Sequence, residues 1–222
     1  MTNNIPQRII DIVGENVKFE VVDIGCSQNL VYRIKDNYYL KISSNKNDLL
    51  RNEADRIKWL QNKLPVPCII DYFEDKDEKQ YLLTSALLGT MAHLAVCDIP
   101  NTVRLLANGL RQFHCVSIID CPFDETSKTK GYKTDDLVLT HGDYCLPNVL
   151  IDLQKNVVDG FVDLGQVGIC DRLWDFALVK TSLERNFGNG EKWFELLWRE
   201  YGLKEEPDRE KIEYYQMLDA LS

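Results

Sequence analysis

No apolar run in this sequence approaches the ~20 residues that cross a bilayer, so no transmembrane anchor is expected. The opening stretch MTNNIPQRIIDIVGENV has no long apolar core and no cleavage-like site, so it does not read as a signal peptide, and a cytoplasmic location is expected. Histidine is scarce, at 3 residues, which argues against a histidine-rich metal site. The cysteines number 7 and include no Cys-x-x-Cys pair, so neither a zinc site nor a disulfide framework is expected. Reduced, mostly buried thiols are the simpler expectation. Positive charge is in deficit: 26 Lys and Arg face 35 Asp and Glu, for a net charge of −9. Nucleic acid is a poor partner for such a surface, because phosphate binding needs basic groups. A cationic small molecule would be drawn to it, with the long-range part screened by salt. There is no GxxxxGK[ST] loop, no GxGxxG loop, no internal repeat and no low-complexity linker.

What is present is 222 residues, 45% hydrophobic and 27% charged, enough for one domain or two small lobes with an adequate core. The chemistry gathers in LVLTHGDYCLPNVLIDLQKNVVDGFVDLG, residues 137–165. Three short apolar runs alternate with polar groups there, so that a hairpin-like pair of strands carries Asp143, Asn148 and Asp163 at its ends. An amide and a carboxylate at a strand mouth suit Mg²⁺, which prefers oxygen ligands and is usually shared with substrate phosphates. A further carboxylate upstream, Asp143, can orient a hydroxyl toward the phosphate. Alone, each Asp-Gly or Asp-Leu-Gly fragment is most often just a turn. All three at this spacing, between apolar runs, form a phosphoryl-transfer signature.

In chain order, a short helix is expected over residues 5–13, and strands over 17–24, 30–34, 38–42, 68–73 and 80–85. Gly25 to Asn29 reads as a small polar turn and Asp36-Asn37 as a tight hairpin. Lys41 lies on the third strand between Leu40 and Ile42; lysines in such places usually face solvent. Residues 47–63 have helical periodicity and carry Glu53, and Pro65-Val66-Pro67 stops that helix. A strand-borne Lys aimed by a Glu on the next helix is how protein kinases present a lysine to nucleotide phosphates. Antiparallel strands give way to helices near Ala86 to Gly89, the expected hinge. Helices are then expected over 101–116, 171–183, 192–201 and 208–221, with Asp208 as an N-cap and Gly202 as a stop, and residues 121–134 form a polar loop. His114 reads as a packing or capping histidine rather than a catalyst.

With these residues in place the chain resembles the aminoglycoside 3′-phosphotransferases, antibiotic kinases of the protein-kinase-like superfamily. The matching stretches are GCSQNLVYRI, YYLKIS, NEADRIKWLQNKLPVP, THGDYCLPNVLID, GFVDLGQVGICDRLWDFAL and IEYYQMLDALS, nearly end to end. The resemblance implies an α+β, protein-kinase-like bilobal fold. Residues 1–87 would form a nucleotide-binding lobe on a five-stranded antiparallel sheet, and residues 88–222 a mainly helical catalytic and substrate lobe. It implies ATP and Mg²⁺, with Lys41 on the nucleotide phosphates, Glu53 holding Lys41, and Ser27 covering the phosphates. The backbone near Ser85 and Leu87 would meet the base, Asn148 and Asp163 would bind Mg²⁺, and Asp143 would orient the acceptor hydroxyl. A loose transition state asks mainly for such positioning.

The chain also departs from the family pattern. A helical insert usual before the His-Gly-Asp motif is replaced by residues 115–140 alone, the tail ends Asp219-Ala220-Leu221-Ser222, and Gln166 stands where an Arg is usual. Asp219 and Glu184 are the candidate partners for substrate ammonium groups. The expected activity is therefore phosphorylation of an aminoglycoside hydroxyl, the 3′ position first, conferring resistance. The alternatives are a kinase of another small hydroxyl compound, of amino sugar, choline or homoserine type, and a non-catalytic nucleotide-binding remnant.

Overall fold

Five antiparallel strands are laid down before the first long helix of the second half. The structure, a computed structural model, describes residues 5–22, 30–35, 37–44, 50–132, 134 and 136–221. Ser27 and the rest of the expected Gly25–Asn29 turn, Asp36, and the expected helix start at Asn47 lie outside the described residues. The chain divides into two compact units, residues 1–61 with 66–87, and residues 62–65 with 88–222. The short stretch 62–65 joins the second unit, where the Phe161 N–H donates to the Pro65 carbonyl at 3.0 Å.

The first unit holds α1 (Gln7–Val13), β1 (Phe19–Val21), β2 (Leu30–Ile34), β3 (Tyr38–Ser43), α2 (Leu50–Leu60), β4 (Ile69–Glu74) and β5 (Gln80–Ser85). The sheet order is β1-β2-β3-β5-β4, all antiparallel. The expected five-stranded antiparallel sheet is thus present, though β1 is shorter than its expected 17–24 span. Period-two alternation decides what each face carries. Ile34, Leu40, Ile42, Tyr81 and Leu83 cluster with Ile9 and Val13 of α1, one helical turn apart on one side of that helix. A side chain such as Leu40, fully buried, contributes roughly 1.5–3 kcal/mol over an exposed one. Lys41, between two core residues, is turned to the opposite face, beside its register partner Leu82. Ile34 pairs with Tyr38 at the end of the β2–β3 ladder, and Lys35 just past it sits at φ 50°.

The second unit contains β6 (Thr90–Met91), α3 (Ile99–His114), β7 (Leu137–Thr140), β8 (Val149–Asp152), β9 (Val157–Phe161), β10 (Gly168–Asp171), α4 (Arg172–Phe187), α5 (Gly190–Tyr201) and α6 (Arg209–Ala220). The expected hairpin is β8–β9, extended by β6. β7 instead pairs with β10, a four-residue strand that sequence periodicity did not separate from the following helix. α3 begins two residues before its expected start because the Asp98 carboxylate caps the Asn101 N–H and Pro100 fits the first turn. α4 is capped by Asp171 and α6 by Asp208, as anticipated for the latter. The cysteines correct an expectation: of the six described, Cys170 is buried, Cys121 and Cys145 are half-buried, and Cys68, Cys97 and Cys115 are exposed.

Candidate functional site

In the first unit, Lys41 Nζ donates to Glu53 Oε1 at 2.8 Å and Oε2 at 2.9 Å. The side chains are 20% and 7% exposed. The helix contributes the acid because Glu53 falls in its first turn, among Leu50, Ala54 and Ile57 on the buried stripe. A largely desolvated pair holds its geometry better than an exposed one. Further along this unit, the Ser85 N–H donates to Cys68 O at 2.8 Å, and the Ser85 hydroxyl accepts from the Cys68 N–H at 2.9 Å. The Ala86 N–H donates to Asn37 O at 2.7 Å.

In the second unit, the turn after β7 brings Asp143 and Asn148 together. Asn148 Nδ2 donates to Asp143 O at 3.0 Å and to Asp143 Oδ2 at 2.9 Å. Both bonds use the amide nitrogen, so the amide oxygen of Asn148 is turned away from Asp143. The Val162 N–H donates to Asn148 O at 3.0 Å, which places Asp163 next along the chain from that contact. Asp163 is exposed and sits at φ 59°, a left-handed conformation that Asp tolerates better than most residues and that often marks functional turns. The charges of Asp143 and Asp163 both act at Cys145, whose thiol is pushed up first by burial and then by these two carboxylates. The Asn148 amide oxygen and the exposed Asp163 carboxylate are hard oxygen donors, the kind that Mg²⁺ prefers.

A buried network holds this turn from behind. Asp175 of α4, fully buried, accepts from the His141 N–H at 2.8 Å and the Gly142 N–H at 3.0 Å. His114 Nε2 lies 3.3 Å from Asp175 Oδ2, and its Nδ1 lies 3.0 Å from the Tyr201 hydroxyl. A carboxylate acceptor assigns the proton to Nε2, so Nδ1 accepts from Tyr201. Arg172 in turn donates to that hydroxyl and pairs with Asp136 at 2.7 Å. Burial lowers the pKa of His114, with Asp175 opposing the shift. His141, also fully buried, accepts from the Asp143 N–H at Nδ1 (3.3 Å) and donates from Nε2 to Val162 O (3.1 Å). One imidazole therefore links the Asp143 turn to the strand end that precedes Asp163.

Of the two candidate substrate acids, Asp219 of α6 is half-buried and its pKa is raised, first by burial and then by the charge of Asp143, against the influence of Arg185 and Lys128. Its charge and that of Asp143 thus interact. The Glu184 carboxylate is engaged within the helices, where it accepts the Gly190 N–H at the start of α5. It lines a groove of about 380 Å³ with Lys180, Arg185, Glu191 and Gln216.

Comparison with known proteins follows the same line. The Phosphotransferase enzyme family profile matches residues 129–215. An aminoglycoside 3′-phosphotransferase of Niallia circulans is 31% identical over 261 aligned residues, covering 98% of this chain and 97% of the relative. The chain belongs to the aminoglycoside phosphotransferase family. A solved aminoglycoside 3′-phosphotransferase of type VIII superposes with a TM-score of 0.79 at 25% identity, covering 97% of each chain. An aminoglycoside phosphotransferase of Streptomyces rimosus, solved in complex with ADP and streptomycin, gives a TM-score of 0.80 at 23% identity, over 97% of this chain and 96% of that one. The fold of this phosphotransferase is thus the protein-kinase-like one. Sequence reasoning missed Asp175, whose only signal was a carboxylate inside the apolar stripe Trp174–Val179. It also missed the contact that His114 makes with Asp175.

Proposed function

We propose that this enzyme transfers the terminal phosphoryl group of ATP to a hydroxyl of an aminoglycoside, the 3′-hydroxyl first, and so confers resistance from the cytoplasm. The first unit is read as the nucleotide-binding lobe and the second as the catalytic and substrate lobe. Lys41, steered by the buried Glu53, would hold nucleotide phosphates. Since the Ser85 N–H is used by Cys68, an adenine at this edge would meet the Ser85 carbonyl and the Leu87 N–H. Ser27, outside the described residues, is assigned the phosphate cover by resemblance.

Asn148, through its amide oxygen, and Asp163 would hold Mg²⁺, which when bound supplies charge neutralisation on the phosphates. Asp143 would accept a hydrogen bond from the acceptor hydroxyl and take its proton late. Its carboxylate is fixed by Asn148 and its backbone by His141, and transfer through a loose transition state draws most of its acceleration from such positioning. Asp219 would meet a substrate ammonium group, and Glu184, already engaged at α5, would do so from the groove it lines. The observation that carries the reading is the Asp143–Asn148 pair, in a chain aligned nearly end to end with an aminoglycoside 3′-phosphotransferase.

A coupled ADP-release assay tests it, with kanamycin and neomycin as acceptors and choline and homoserine for comparison. Release that depends on an aminoglycoside and on Mg²⁺ is expected. Release with choline or homoserine alone would replace the substrate class, and nucleotide binding without release on any acceptor would remove the activity.

A further inference from the structure

The connection between α3 and β7, polar and short, is fastened beside the Asp143 turn. The Ile169 N–H donates to Phe123 O at 2.8 Å and the Glu125 N–H to Ile169 O at 3.0 Å, so this segment runs along β10 through a parallel bridge at Asp124. A short 3₁₀ turn, Thr126–Thr129, follows and carries Lys128. The Lys128 side chain is only 18% exposed. Its Nζ donates to Gln166 Oε1 at 2.8 Å and to Gln166 O at 3.3 Å, and lies 6.0 Å from the Trp174 ring centroid. Both neighbours lie against Gly142. Gly142 is at φ +82°, and a Cβ there would come within 2.1 Å of Gln166 O. Trp174 Nε1 donates to Gly142 O at 3.0 Å.

We propose that Lys128 is a positioning residue for phosphoryl transfer, setting the Gly142–Asp143 turn and the Asp163–Gln166 turn against each other through the Gln166 carbonyl. The inference rests on the assignment of Asp143 and Asp163 given above. An ammonium on both oxygens of one glutamine makes charge-assisted bonds, stronger than neutral ones. They hold the Gln166 carbonyl against the Cα of Gly142, a spot where no side chain fits. A neutral residue at 128 frees Gln166 to rotate, and the two acidic turns lose their common stop. The stretch that takes the place of the family's usual insert therefore supplies part of the site.

The test compares Lys128→Met and Lys128→Arg with the unaltered enzyme, reading kcat and KM for ATP and kanamycin alongside backbone hydrogen exchange. Lys128→Met should lower kcat roughly ten- to a hundredfold, with both KM values little changed. Exchange should quicken at residues 141–146 and 164–168, and Lys128→Arg should restore both readouts. An unchanged kcat, a loss confined to the kanamycin KM, or no rescue by arginine overturns the proposal. Gln166→Ala, which removes the 2.8 Å acceptor, serves if Lys128→Met does not fold, and unchanged exchange in it overturns the proposal as well. Should the unaltered enzyme accept no aminoglycoside, the functional reading fails, while exchange still decides the claim about Lys128.

Discussion

Replacing Asp175 with asparagine tests whether the turn bearing Asp143 is held by its backbone. Asp175 is fully buried, and the N–H groups of His141 (2.8 Å), Gly142 (3.0 Å) and the His114 ring (3.3 Å) converge on its two oxygens. The isosteric amide keeps one oxygen and presents an NH₂ where the other stood. One charge-assisted bond is lost, at roughly 1.5–3 kcal/mol, and an orphaned buried N–H adds about 1–3 kcal/mol. Removing a buried charge returns part of this, leaving a net loss of roughly 2–4 kcal/mol. A domain with about 5–15 kcal/mol of stability survives that. Transfer suffers more than folding, because a shift of about 1 Å in Asp143 can cost ~100-fold in rate. In the coupled assay kcat should fall by about two orders of magnitude, with the ATP KM little changed, and the urea midpoint should fall too. A lowered urea midpoint with kcat within about twofold of normal would mean that the anchor serves stability alone and would refute the reasoning.

Asp143→Ala should abolish transfer, by roughly 10²–10⁴-fold, while calorimetry still detects ATP binding; equal loss of both would contradict its assigned role. Buried His114 has a lowered folded pKa, so the unfolded chain binds more protons between that value and ~6.5. Its contribution is fully present above ~6.5 and is lost as pH falls, at up to ~1.4 kcal/mol per pH unit. Urea midpoints should therefore drop from pH 7.5 to 5.5, and His114→Gln should flatten the drop to the share left by His93, which burial also lowers; an unchanged slope would remove His114 from the account. Asp219 has a raised folded pKa, from burial and then Asp143, so the stability it contributes is present below ~3.8 and lost as pH rises through the raised value. At pH 7 Asp219→Asn should lift the melting temperature by roughly 1–3 °C while raising the kanamycin KM, and a drop in melting temperature would count against it.

Which parts of this molecule could be read from its residues follows from the range of the interactions involved. The five-strand sheet and the β8–β9 hairpin were legible because period-two alternation and turn residues act within a few positions of each other. Lys41 and Glu53 are 12 residues apart, yet strand alternation and a helical first turn bring them to one face, so their pairing could be anticipated. β10 was hidden because four residues are too few for a period to show and Asp171 already caps the next helix.

What escaped entirely were partners joined across long stretches of chain. Asp175 meets His141 from 34 residues away, and Lys128 meets Gln166 from 38. A lysine in a polar loop is ordinary and gives no hint of its bond, and Asp175 gave only its place inside the apolar stripe Trp174–Val179, which does not name a partner. Yet these bonds decide where the legible motif points. Asp143 and Asn148 are five residues apart and can find each other locally, but their shared turn contains a glycine at φ +82° that must be clamped to stay in place. Asp175 holds the N–H of that glycine and Trp174 its carbonyl, and the Gln166 carbonyl fills the place a Cβ would take. Short-range sequence thus specifies the candidate site groups, and long-range packing fixes their aim. Substitutions at the clamp should accordingly act on turnover before they act on nucleotide affinity.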